Sequence, residues 1–159
     1  MSQKISFHYT DQKFSFRRRN MVRSTVERLI RAEGQKVGEI HYIFCSDEYL
    51  LQLNQTHLKH DTLTDIITFQ YNEPREPIVS DIYISVERVR ENATTFAVSF
   101  SDELLRVIFH GALHLVGYKD KTSVQKKEMR QMEDKYQQVF KSSTWNIPNI
   151  STAYFTADY

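Results

Sequence analysis

Apolar residues recur along this chain with two different periods, and the changes between them mark the elements. Ile5 to Tyr9 alternates apolar and polar side chains, as a half-buried strand does. Phe14 to Glu33 predicts a helix: Val22, Val26, Leu29 and Ile30 return at helical spacing, and Gly34 stands where a C-terminal cap belongs. Val37 to Cys45 is dense in β-branched and aromatic residues and predicts a strand. Ser46 and Asp47 offer an N-cap to a short helix through Leu50, Leu51, Leu53 and Asn54. A polar loop is expected from His57 to Thr64, then a strand from Asp65 to Tyr71. Pro74 and Pro77 break the stretch that follows. Ile82 to Val86 predicts another strand, and Ser85 is placed to cap a helix through Val89 and Ala93. Ser99 or Ser101, followed by Asp102 and Glu103, opens the next helix, which should end near Gly117. Lys121 to Lys141 predicts a charged amphipathic helix carrying Met129, Met132, Tyr136, Val139 and Phe140. After Ser142 no period remains.

The resulting order, β-α-β-α-β-β-α-α-α, predicts one mixed sheet of about four strands with helices packed on it. A single domain over residues 1–141 is expected, with a loosely attached tail over 142–159. Hydrophobic residues make up 40% of the 159, among them 10 Phe and 9 Tyr, which is enough for a core without staples. The one cysteine, Cys45, cannot form an internal disulfide, so a reducing compartment is the natural setting. No signal-peptide pattern and no apolar stretch of about 18 residues are present, and the expectation is a cytoplasmic protein without a membrane partner.

The net charge of +1 does not advertise a nucleic-acid partner, but its distribution is uneven. Lys13, Arg17, Arg18, Arg19, Arg23, Arg28, Arg31 and Lys36 are opposed only by Glu27 and Glu33. Such a run is either a patch for phosphates or the solvated face of a helix, and the sequence leaves both open.

The most specific signal is the segment from Phe109 to Asp120, with the spacing H-x-x-x-H-x-x-G-x-x-D. Four residues turn a helix by about 400°, so His110 and His114 point the same way one turn apart. Asp120 could join them only if the helix stopped and the chain folded back. Gly117 permits that, because glycine accepts the left-handed conformation that ends helices. Two imidazoles and a carboxylate would hold one zinc-like ion at the end of a central buried helix and leave a fourth position for water. Nickel or another divalent metal also fits this donor set. The alternative is a pair of core histidines hydrogen-bonded to their surroundings.

The spacing is similar to that of zinc peptidases that use H-E-x-x-H-x-x-G-x-x-H, where the Glu is the general base. Here that position is Gly111, so a peptidase would need its base from Glu103 or Asp65, for which no spacing argues. A glycine beside the site also lets a bulky substrate or another backbone come close.

From His110 to Asp120 the sequence resembles the YbeY family of metal-dependent endoribonucleases, whose signature is H-G-x-L-H-L-x-G-Y-D-H. His110, Gly111, Leu113, His114, Leu115, Gly117 and Tyr118 match it. Leu53-Asn54 with Thr64-Asp65-Ile66-Ile67-Thr68-Phe69 is similar to the family's L-N…T-D-V-L-S-F segment, and Ser80 to Ser85 to its G-D-I-x-I-S strand. The resemblance implies a single α+β domain with one metal, usually zinc. It further implies cleavage of single-stranded RNA in ribosomal RNA maturation, with the small ribosomal subunit as setting, and does not specifically imply DNA. Two positions depart from the pattern. The final D-H is Lys119-Asp120, so the third ligand would be a carboxylate, and Leu58 stands where the family carries an arginine.

The expectation is therefore a metal-dependent endoribonuclease with His110, His114 and Asp120 as ligands and a metal-activated water. Arg17, Arg18, Arg19, Lys59, His60 and Asp65 are the candidate RNA contacts. The rival readings are a ribosome-assembly factor with a structural metal and a zinc-dependent peptidase.

Overall fold

The computed structural model describes residues 4–58 and 64–145. Strand β1 (Ile5–Tyr9) is followed by helix α1 (Arg19–Ala32), strand β2 (Val37–Cys45) and helix α2 (Asp47–Leu53), which runs on into one π-helical turn (Asn54–Leu58). Strands β3 (Ile66–Gln70) and β4 (Ile78–Ser85) come next, then helices α3 (Val86–Thr95), α4 (Phe100–Leu115) and α5 (Ser123–Trp145). The four strands form one mixed sheet in the order β1-β2-β4-β3. β1, β2 and β4 are parallel, and β3 closes one edge antiparallel to β4. This is the α+β architecture that the order of elements predicts.

Burial explains the assembly. On β2 the period of two points Ile40, Tyr42 and Phe44 into the core, and on β4 it does the same for Ile78, Ile82 and Ile84. α1 lays Val22, Val26, Leu29 and Ile30 against them. α4 is apolar on most sides and buries Leu104, Leu105, Val107, Ile108, Phe109, Ala112, Leu113 and Leu115. The Tyr42 hydroxyl donates to the Ile108 carbonyl at 3.0 Å, tying the central helix to the central strand. α5 covers α4 with Met129, Tyr136 and Phe140. Gly111 faces the sheet: a Cβ there would lie 2.8 Å from Ile66 Cδ1 and 3.3 Å from Ile82 Cγ2. Its missing side chain serves close helix–sheet packing, and the close approach it allows is to the half-buried Ile66 and the buried Ile82, not to a substrate.

Three serines cap helices as the sequence predicts. Ser46, Ser85 and Ser99 accept from the amides of Tyr49, Arg88 and Asp102, each satisfying a donor that the first turn leaves unpaired. Other boundaries move for physical reasons. Residues 14–18 are not helical, because Phe14 and Phe16 alternate onto one aromatic cluster. Phe16 meets Phe7 edge-on at 4.7 Å, and Phe14 meets Phe44 at 5.0 Å and Phe100 at 5.5 Å. Arg18 then takes a left-handed turn, φ 58°, and α1 begins. β4 starts at Ile78, directly after Pro77, where the Ile78 amide donates to the Lys36 carbonyl at 2.8 Å. α5 continues to Trp145, so the first four residues of the expected tail, 142–145, are helical. Among the described residues no helix is long and apolar enough to cross a membrane.

Candidate metal centre

α4 ends at Leu115, and the chain reverses at Gly117, whose φ is 106°. The Gly117 amide donates to the His114 carbonyl at 3.1 Å, and the Tyr118 amide reaches back to Leu113 at 3.0 Å. This closure is the left-handed end that the glycine permits. It carries Asp120 back over the last turn of the helix.

Three donor atoms meet there. His110 Nε2 and His114 Nε2 are 2.9 Å apart, and Asp120 Oδ2 is 3.3 Å from each. Ligands of a tetrahedral ion with bonds of about 2.0–2.1 Å stand about 3.3–3.4 Å from one another, so the spacing suits one small cation with slight opening of the histidine pair. The side chains are 15%, 30% and 41% exposed, which grades the group from a buried floor to an open rim.

Tautomers strengthen the case. His114 Nδ1 lies 2.9 Å from the Tyr118 carbonyl oxygen, which can only accept, so Nδ1 carries the proton. His110 Nδ1 donates to Glu133 Oε2 at 2.7 Å. With Nδ1 of each ring donating outward, Nε2 is the atom that points into the group. Two lone pairs and a carboxylate oxygen at these distances repel one another unless a proton or a metal ion lies between them.

Behind His110 stands a buried ionic network. Arg106 Nε donates to Glu103 at 2.7 Å, and its terminal nitrogens lie 3.3 Å from Glu133 and 3.7 Å from Asp65. Burial pushes the Glu133 carboxyl up, but the His110 hydrogen bond and the Arg106 and Arg130 charges outweigh it and hold it below the usual carboxylate range. Burial opposes the charge on Arg106 as well, and the three carboxylates around it more than restore that charge. Among the described residues, Asp65, Glu103 and Glu133 meet Arg106, Arg130 also meets Glu133, and Asp120 faces the two histidines.

The other predicted residues scatter. Asp65 precedes β3; its carbonyl accepts from the Ser85 amide, and its carboxylate faces Arg106 and Asn92. Burial raises the Asp65 carboxyl, and Arg106 offsets part of that rise. Arg17, Arg18 and Arg19 sit where α1 begins, near the Phe14–Phe100 contact and hence near the start of α4. The opposite end of α1 reaches the turn after α4, where the Tyr118 hydroxyl donates to Glu33 at 3.0 Å. Fourteen residues of helix, about 21 Å, separate these ends, so the arginines are remote from the triad. Lys59 and His60 lie outside the described residues. Glu103, a candidate base for a peptidase, is buried and bound to Arg106.

Glu133 and Arg106 escaped the reading of the sequence, although each leaves a trace in it. Glu133 is a carboxylate within the apolar stripe of Met129, Tyr136 and Phe140, and Arg106 is a charge inside the run from Leu104 to Ile108.

Fold and site together define a class: an α+β protein that presents a ligand-ready His-His-Asp set at the end of its central helix. Comparison with known proteins makes the class particular. The family model described as endoribonuclease YbeY matches residues 4–141. An endoribonuclease YbeY of Flavobacterium psychrophilum is 49% identical over 136 residues, spanning 86% of this chain and 96% of that protein. Those of Cytophaga hutchinsonii and Flavobacterium johnsoniae are 46% and 48% identical over 130 residues, each spanning 82% of this chain and 91% and 92% of the relative. The solution structure of TM1509 from Thermotoga maritima superposes with a TM-score of 0.59 at 27% identity, over 93% of this chain and 97% of that one. The chain belongs to the YbeY endoribonuclease family.

Proposed function

We propose that this protein is a metal-dependent endoribonuclease that cuts single-stranded RNA in ribosomal RNA maturation, with one zinc ion held by His110, His114 and Asp120. The observation that carries the reading is the convergence of two tautomer-fixed lone pairs and a carboxylate oxygen within 3.3 Å of one another at an exposed helix end. Family membership supplies the reaction class.

A divalent ion bound there supplies Lewis-acid stabilisation of a phosphoryl oxygen and draws the pKa of water toward about 7. The residues of the chain do the rest. Two neutral nitrogens and one oxygen suit zinc, and nickel is the next candidate. Glu133 and the Tyr118 carbonyl hold the two rings in the donor tautomer, and Arg106 holds Glu133. Asp65 acts through Arg106, as a positioning group rather than an RNA contact. Lys119 and Lys121 are exposed on either side of Asp120 and offer positive charge to the phosphates beside the cut. Arg17, Arg18 and Arg19 fit a contact to the RNA backbone several nucleotides away. The small ribosomal subunit is the proposed setting, and the cytoplasm the proposed compartment.

Untagged, zinc-loaded protein is expected to cut single-stranded RNA, to stop on chelation and to resume when zinc is returned, while His114→Ala stays inactive. Intact RNA in the presence of fully loaded wild-type protein would contradict the reading. If chelation then lowered the melting temperature alone, the ion would be structural.

A further inference from the structure

The sheet carries a second convergence of donor atoms, away from α4. β1 and β2 run parallel with Ser6 opposite His41, so Ser6, His8 and His41 project from the same face. The His41 and Glu39 side chains are 33% and 61% exposed, and His8 is exposed. Ser6 Oγ lies 2.9 Å from His8 Nε2 and 2.7 Å from His41 Nδ1, and the two nitrogens are 3.2 Å apart. His41 Nε2 donates to Glu39 Oε1 at 2.9 Å. With that proton placed, the acceptor nitrogen of His41 is Nδ1, which faces both Ser6 Oγ and His8 Nε2. Glu39 stands behind His41 as Glu133 stands behind His110, a carboxylate that orients the ring and makes it a better donor. His8 is exposed, so its ring adopts either tautomer without burying an unpaired N–H.

We propose that His8 and His41 form a second site for a divalent transition-metal cation, with Ser6 beside it and solvent completing the coordination shell. The 3.2 Å separation of the nitrogens suits neighbouring ligands of one ion with bonds of about 2.0–2.1 Å. Imidazole nitrogen favours copper(II), nickel(II) and zinc(II), and gives magnesium and calcium little. Two nitrogens on an exposed strand pair bind more weakly than the three-donor set on α4. The sites share no residue, and the inference does not depend on RNA cleavage.

The test is calorimetric titration of chelator-stripped full-length protein with zinc(II) chloride. His41→Ala and His8→Ala should each take up one equivalent fewer than wild type, while His114→Ala keeps that equivalent. Glu39→Gln should leave the stoichiometry unchanged and weaken this equivalent about 10-fold. With copper(II) on the His114→Ala background, electron paramagnetic resonance should report nitrogen ligation that His8→Ala removes. His8 is exposed, so its variant tests the site even if His41→Ala fails to fold. Uptake in His8→Ala equal to that of wild type overturns the proposal and leaves the cluster a hydrogen-bond relay from His8 through Ser6 and His41 to Glu39.

Discussion

α4 holds two polar clusters one turn apart, and they obey opposite rules. Toward its start, Glu103 and Arg106 are largely buried, and each charge meets an opposite charge, with Glu133 and Asp65 completing the set. Toward its end, His110 and His114 face each other and Asp120 with acceptors alone. The first cluster is satisfied from within the protein; the second brings together three donor atoms that could hold a metal ion. Glu133 belongs to both, accepting from His110 and pairing with Arg106, so the rigid cluster sets the geometry of the open one. A ligand site at a helix end needs such backing, because its own members repel.

Breaking the open cluster should have the largest effect. His114→Ala removes one of the three proposed ligands, so cleavage of single-stranded RNA should fall to background in a gel assay. Folding should change little, since His114 is 30% exposed. Breaking the closed cluster should do the reverse. Arg106→Ala strands Glu103 and Glu133, both nearly fully buried, and should cost about 3–5 kcal/mol in urea denaturation. Glu133→Gln separates the two roles. It keeps the shape, weakens the hold on His110 and should lower zinc affinity about 10- to 100-fold by competition with a chromophoric chelator.

Acid sharpens the comparison. The Glu133 carboxyl is held below its ordinary value in the folded protein, so its contribution to stability is complete above the unfolded glutamate value of about 4.3. It is lost as pH falls through the lower folded-state value. Asp65, raised by burial, acts in the opposite sense: its contribution is present at low pH and fades as pH rises through its folded value. The stability gap between wild type and Glu133→Gln in urea should therefore narrow below about pH 4.

The open cluster was legible in the sequence because its geometry is local. Helical spacing aligns His110 with His114, and Gly117 with its φ of 106° supplies the reversal that Asp120 needs. The closed cluster was not, because Glu133 arrives from α5, 23 residues away along the chain, and only helix packing reveals its partner. The fold was legible through the same short-range rules, down to three serine caps. It failed at residues 14–18, where the contacts of Phe14 and Phe16 with rings far along the chain outweigh helical continuity. Arg17, Arg18 and Arg19, expected as RNA contacts, sit at the end of α1 remote from the triad, a placement that spacing along one helix cannot give.

The smallest effect concerns Cys45, which the structure buries at the end of β2. Burial, reinforced by Asp11, Asp47 and Glu87, pushes its thiol up to about 12. The native protein should therefore resist iodoacetamide at pH 8, and label once per chain in denaturant.

The most direct measurement is zinc content by elemental analysis of untagged protein after exhaustive dialysis, wild type beside Asp120→Ala, with RNA cleavage read on the same samples. Wild type should hold one equivalent more than the variant, and cleavage should disappear with that equivalent. Equal zinc in both proteins, or unchanged cleavage in the variant, would contradict the shared-cation account.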